Sequence, residues 1–245
     1  MARRDEIIAY ANELLDLDSF KDFGPQGLQV AGAEEVTRVV CSVSASLELF
    51  ERAAAAGAQL VIVHHGLLWD NEPRVIDARV RRRLQALFEA DINLAGYHLA
   101  LDAHPEIGNN ALLARELGVE VDGAFLEWGL GGSVSTTRDE FLARVRERIG
   151  REPLVFAEGP EDLRRVAIIS GAGQRYLPEA AAQGYDLFLT GEPAEPSLHL
   201  ARELAINFVA AGHYATEKLG VKALTEKLAE RFDLEWEFVE LPNPV

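Results

Sequence analysis

Short apolar, β-branched runs alternate along the chain with Ala-, Glu-, Arg- and Leu-rich segments of helical period. This is the pattern of βα units around a mostly parallel sheet. The runs predict strands over Val36 to Val43, Gln59 to Val63, Ile92 to Tyr97, Arg165 to Ile169, Tyr185 to Leu189, Ile206 to Ala211 and Glu237 to Leu241. The helical period predicts helices over Arg3 to Leu17, Ser46 to Ala56, Ala78 to Ala90, Asn109 to Leu117, Thr137 to Ile149, Leu177 to Gln183, Ser197 to Ala205 and Ala215 to Phe232. The fold class is therefore α/β. Between Gly123 and Thr136 the composition shifts to glycine, serine and threonine around Trp128, which reads as a connection between lobes. That places one lobe at 1–125 and a second at 126–245, with the C-terminal segment packing back on the first.

The pattern also repeats. VVCSVSASLELFERAAAAGAQLVIVHHG from Val39 aligns with VAIISGAGQRYLPEAAAQGYDLFLTGE from Val166, strand, Ala-rich helix, glycine, strand. The next unit, LQALFEADINLAGYHLALD from Leu84, aligns with LHLARELAINFVAAGHYATE from Leu198 after a one-residue slip. Two similar α/β lobes from an internal duplication follow, each presenting polar groups at equivalent strand ends.

Composition narrows the class. Of 245 residues 48% are hydrophobic, enough for a sizeable core and too many for a disordered chain. The net charge of −16 has the wrong sign for a protein that neutralises phosphates, so duplex nucleic acid is not an expected partner. Cys41 is the single cysteine, which excludes an intramolecular disulfide and a thiolate zinc finger and leaves any metal to nitrogen and oxygen ligands. The N-terminal stretch mixes Asp5, Glu6, Glu13 and Asp16 with its apolar residues, so it reads as an amphipathic helix and not a signal peptide. No run approaches the roughly 18 apolar residues of a membrane span, and a cytoplasmic location is expected.

Candidate chemistry gathers at strand ends, where open α/β sheets bind ligands. His64 and His65 follow Leu60-Val61-Ile62-Val63; neighbours on an extended chain point to opposite faces, so the pair suits two ions better than one. His98 and Asp102 follow one predicted strand, His213 and Glu217 another, each pair at i, i+4, a spacing that lets imidazole and carboxylate converge. The repeat sets Glu192 opposite His65, which makes it a candidate ligand, base or partner of a ligand. His104 is placed to orient a carboxylate, whereas His199 lies within a predicted helix. Imidazole with carboxylate suits zinc, iron, manganese, nickel or cobalt, and two matched sets suit a two-metal site. A phosphate-binding loop, a dinucleotide fingerprint and a serine-hydrolase elbow are all missing from the sequence.

HHGLLW from His64, GYHLALDAHPEIGNN from Gly96, LTGE from Leu189, AAGHYATEKLG from Ala210 and PQGLQVAG from Pro25 together resemble the Nif-three-like (Ngg-interacting-factor-like) family, often labelled type-two GTP cyclohydrolase homologues. The resemblance runs from about Ile7 to Leu241. It implies two α/β lobes with a dinuclear site in the cleft between them, in which His65 and Asp102 hold one divalent transition-metal ion, His64 and His213 the other, and Glu217 bridges. It also implies a homohexamer. His98 corresponds to a histidine beside the site, and with Glu192 is a candidate for proton transfer. The expected activities are metal-dependent hydrolysis of a nucleotide-like or other small molecule, or non-catalytic carriage of the metal.

Overall fold

The computed structural model describes residues 1–73 and 75–245. In chain order its elements are β1 (Ala2–Arg3), α1 (Arg4–Leu14), β2 (Gly27–Val30), β3 (Glu35–Val36), β4 (Arg38–Ser44), α2 (Leu47–Ala55), β5 (Leu60–His65), α3 (Ala78–Glu89), β6 (Asn93–Gly96), α4 (Leu99–Ala103), α5 (Asn109–Leu117), β7 (Glu120–Phe125), β8 (Gly129–Thr137), α6 (Arg138–Ile149), β9 (Leu154–Ala157), β10 (Asp162–Ile168), α7 (Leu177–Ala182), β11 (Leu187–Thr190), α8 (Ser197–Leu204), β12 (Asn207–Ala210), α9 (His213–Thr216), α10 (Lys218–Phe232) and β13 (Glu235–Phe238). Residues 1–101 with 220–241 make one compact unit, and 102–219 with 242–245 a second.

The first unit is built on a five-stranded sheet in the order β13-β4-β5-β6-β2, parallel except at the β6-β2 edge. Its inner strands β4, β5 and β6 are buried on both faces, which is why Val39 to Cys41 and Leu60 to Val63 read as unbroken apolar runs. Phe50 and Leu49 of α2 and Leu87 of α3 pack against Val40, Val61, Val63 and Leu94 on one face. The start of α2 is set by Ser46, whose hydroxyl caps the N–H of Leu49, and that of α3 by Asp77, which caps Val80.

The second unit carries six strands in the order β7-β8-β10-β11-β12-β9. Only its centre, β10-β11-β12, is parallel; β8, β7 and β9 add antiparallel edges, so the expectation of a mostly parallel sheet gives way here to a mixed one. The period of two splits its core cleanly: Val166, Ile168, Leu187, Leu189 and Val209 face Phe141 and Val145, whereas Ala167, Phe188 and Phe208 face Leu177 and Tyr185.

Two expectations are corrected. The glycine-rich stretch from Gly123 to Thr136 is no connection: it forms most of the β7-β8 hairpin at the sheet edge. Its glycines serve close packing, since a Cβ at Gly131 would overlap the Tyr185 hydroxyl and one at Gly132 would stand 2.5 Å from the Glu120 carbonyl. The division also falls at 101/102 and not at 125/126, because Leu113, Ala114 and Leu117 of α5 belong to the core of Phe141, Val145 and Val166.

Each unit ties one buried asparagine into its third parallel strand in the same way. Asn93, at the start of β6, accepts from Gly32 N–H at 2.7 Å and donates to the carbonyls of Ala33 and Gln59, both at 2.8 Å. Asn207, at the start of β12, accepts from Gly159 N–H at 3.2 Å and donates to the carbonyls of Pro160 at 2.8 Å and Asp186 at 3.1 Å. Both are fully buried.

Candidate metal centre

In the first unit the chemistry stands at the carboxyl ends of β5 and β6. His64 and His65 are the last two residues of β5, and His98 follows Tyr97 just beyond β6. The three rings lie close, with centroids 4.8 Å apart for His64 and His65, 5.0 Å for His64 and His98 and 5.5 Å for His65 and His98. One ring nitrogen from each falls within 4.8 Å of the others. The pleat, which at sequence level separates neighbouring side chains, therefore does not keep His64 and His65 apart at the strand's last residue.

His98 finds its carboxylate in Asp22: Nδ1 lies 2.7 Å from Oδ1, and Oδ2 accepts from Leu99 N–H at 2.9 Å. Burial pushes the Asp22 carboxyl up, but His98 and the N–H groups of Leu99 and Phe23 outweigh it and hold the group below its ordinary range. The backbone N–H of His98 donates to Gln26 Oε1 at 3.2 Å, and Trp69 stands edge-on to the ring at 5.1 Å. Asp22, 76 residues away in sequence, carries no signal that could have found it.

In the second unit the groups stand beyond β10, β11 and β12. Gly212, at φ +101°, turns the chain out of β12 into α9, and His213 opens that helix. Its Nε2 lies 3.1 Å from Oε2 of Glu217, so the i, i+4 pair converges as its spacing predicts. Nδ1 of the same ring bonds to Oε1 of Glu192, which follows β11. Burial pulls the His213 pKa down, but hydrogen bonds and charge from Glu217 and Glu192 outweigh it and push it up to about 9.

Asp102 is buried, as is Glu217, and a carboxylate oxygen of each lies within 4.8 Å of the other. Oδ1 of Asp102 accepts from Asn109 Nδ2 at 2.8 Å and Ser170 Oγ at 3.0 Å, while Asn110 reaches the Asp102 carbonyl, the Trp128 carbonyl and the Ser170 N–H. Asn109 and Asn110 close the sequence motif that begins at Gly96 but show no role there. His104 takes a local one: Nδ1 accepts from the N–H groups of Glu106 and Ile107 at 3.1 and 3.2 Å and caps that turn. His199 is exposed on α8. Gly171, at φ +62°, lets the chain pass where a Cβ would overlap Glu217 Oε1 and stand 3.1 Å from His213 Nε2.

The donors in both units are imidazole nitrogens and carboxylate oxygens, the set that borderline divalent transition metals take. They fit such an ion: the rings of the first unit are grouped with their ring nitrogens within 4.8 Å, and the two buried carboxylates of the second repel one another unless a cation or a shared proton offsets them. An α/β protein carrying candidate metal ligands at its strand ends is thus the class defined. The chain belongs to the Duf34/NIF3 (NGG1p interacting factor 3) family, whose model matches residues 2–244. Relatives named "GTP cyclohydrolase 1 type 2 homolog" from Yersinia pestis and Escherichia coli K12 are each 44% identical, over 245 and 246 residues, covering 99% of this chain and 99% of theirs. Among solved structures, protein ybgI, of unknown function, superposes with a TM-score of 0.96 at 43% identity over 100% of both chains. TTHA1606 of Thermus thermophilus gives 0.94 at 37% identity over 100% of both chains, and reduced HcgD of Methanocaldococcus jannaschii 0.89 at 28% over 98% of both. Among the described residues no helix is long and apolar enough to cross a membrane.

Proposed function

We propose that the chain holds a dinuclear centre of divalent transition-metal ions and uses it to hydrolyse a small molecule, nucleotide-like in keeping with the name its relatives carry. The observation that carries this reading is the pair of buried carboxylates, Asp102 and Glu217, within 4.8 Å of one another beside the His213 ring. Two carboxylates held so close away from water call for positive charge beside them, which the protonated His213 supplies without metal and an ion would supply in its place. In this reading His65 and Asp102 bind one ion, His64 and His213 the other, and Glu217 bridges. His98 and Asp102 are four residues apart around α4, so the imidazole set and the carboxylate set are joined by one short stretch of chain. The matched hydrogen bonds of Asn93 and Asn207 support two lobes derived from one duplicated unit, with His64 and His65 in the first unit and Asp102, His213 and Glu217 in the second.

When bound, such a pair of ions polarises an electrophile and makes water more acidic. The chain's own residues bind and orient. Glu192 accepts a hydrogen bond from His213 Nδ1–H, which turns Nε2 to the ligand position and makes Glu192 a positioning residue. Asn109 and Ser170 hold Asp102 in one rotamer by donating to Oδ1. The proposed assembly is the homohexamer; a sedimentation or light-scattering mass of six chains is the expected result, and a smaller mass overturns it.

A second reading, that the chain carries or delivers its ions, is favoured by one observation. A cleft of about 630 Å³ in the first unit is lined by Glu13, Asp16, Asp18 and Asp22 and by no lysine or arginine. Such a lining attracts cations and repels a triphosphate. Metal-loaded protein, assayed against nucleotides, phosphoesters and amides beside a Glu192→Gln variant, separates the two. Hydrolysis that falls in the variant while both ions stay bound supports the enzyme. No hydrolysis across the screen, with ready transfer of ions to a chelator, supports the carrier.

A further inference from the structure

Each imidazole of the first unit has Nδ1 tied to an oxygen. His64 Nδ1 lies 2.9 Å from the Tyr97 carbonyl, His65 Nδ1 3.0 Å from the Ser44 hydroxyl and His98 Nδ1 2.7 Å from the Asp22 carboxylate. A carbonyl and an ionised carboxylate only accept, so His64 and His98 carry a proton on Nδ1, and in the neutral ring that ligates a metal the lone pair is on Nε2. The Ser44 hydroxyl, which both donates and accepts, is compatible with the same tautomer in His65. Outer oxygens that hold one ring nitrogen so that the other can ligate are the mark of metal-binding histidines. His98 is held as firmly as the two expected ligands: Asp22 is buried and shared with two backbone N–H groups, Gln26 fixes the backbone at His98, and Trp69 packs edge-on against its ring.

We propose that His64, His65 and His98 form a three-imidazole site that takes the first divalent ion, with Asp22 as the positioning residue of His98. The site rests on the reading of the protein as metal-binding and deepens it. It makes His98 a ligand where its sequence position suggested a neighbour of the site, and it sets the selectivity of loading. Three imidazole nitrogens favour iron, cobalt, nickel, copper and zinc over magnesium and calcium, which prefer oxygen. Sharing of His64 and His65 between two ions follows when the second ion arrives at the carboxylates.

Titration of chelator-treated full-length protein with Co²⁺, followed by visible absorption and X-ray absorption, tests this. The first equivalent is expected to show three imidazole ligands. An Asp102→Asn/Glu217→Gln double variant is expected to keep one Co²⁺; adding His98→Ala to it should weaken that ion at least about 10-fold, and adding Asp22→Asn by about 10–100-fold, with unchanged far-UV circular dichroism. His98→Asn, whose amide can still donate to Asp22, carries the same expectation if the alanine variant misfolds. Co²⁺ bound equally with and without His98 in that background, or a first equivalent with fewer than three imidazoles, overturns the assignment. If wild-type protein still binds two equivalents when the assignment fails, the dinuclear reading stands; wild-type protein that binds none overturns both.

Discussion

Nε2 of His213 lies 3.1 Å from Oε2 of Glu217 while Glu192 holds Nδ1 of the same ring, so one imidazole is clasped by two carboxylates. Burial opposes its charge, but the two acids prevail and raise the pKa to about 9. In metal-free protein at neutral pH this ring is therefore protonated, and an ion must displace a proton from it. Metal uptake at pH 7 is expected to release close to one proton at His213, with affinity rising as pH climbs toward about 9. Calorimetry in buffers of different ionisation enthalpy reads the proton count, and a count of zero contradicts the clasped ring. The same shift stabilises the metal-free fold below an unfolded pKa of about 6.5, an effect lost as pH rises through about 9.

Replacing Glu217 by Gln removes the proposed bridge and its charge. Occupancy should fall from two ions to about one per chain by elemental analysis, the remaining ion being the one that His64, His65 and His98 hold. Full loading of the variant excludes a bridging role.

Gly171 combines a left-handed backbone with the closest approach to Glu217 and His213. Gly171→Ala should cost about 1–2 kcal/mol for the backbone alone and also displace the Glu217 carboxylate. Gly150 has φ +77° with nothing within 4 Å of a Cβ, so Gly150→Ala should carry the backbone cost and leave metal affinity unchanged. Denaturant melts and metal titrations on both variants check this; equal metal binding by the two contradicts it.

Cys41 is buried in β4, and burial pushes its thiol up to about 12. Native protein should resist a thiol reagent such as dithionitrobenzoate and react fully only in denaturant. Rapid labelling of native protein at neutral pH contradicts the burial.

Asn93→Leu and Asn207→Leu each strand a backbone N–H and two carbonyls inside the protein. Each should lower stability by roughly 3 kcal/mol, measured by urea unfolding. A loss under about 1 kcal/mol shows that neighbouring groups take over the bonds.

Much of the fold was legible locally. Asn109–Leu117 was read to the residue, and β4, β5 and β12 to within a residue or two, because a doubly buried parallel strand needs an unbroken apolar run and a surface helix needs a 3.6-residue stripe. The edge strands β2 and β9 and the hairpin β7-β8 were not, since a strand with one exposed edge does not require such a run and glycines placed for close packing look like glycines placed for flexibility. His213 and Glu217 could be paired from sequence because both lie on one turn of chain. Asp22 could not be assigned to His98, nor Ser170 to Asp102, because those bonds span 76 and 68 residues and depend on where distant strands end. The sequence by itself determined the residue types of the site and the strand ends that carry them, which follow from local spacing. Which oxygen holds which ring, and therefore which nitrogen faces a ligand, was decided only by the tertiary structure, because hydrogen bonds of that kind are made through space between elements that the chain brings together last.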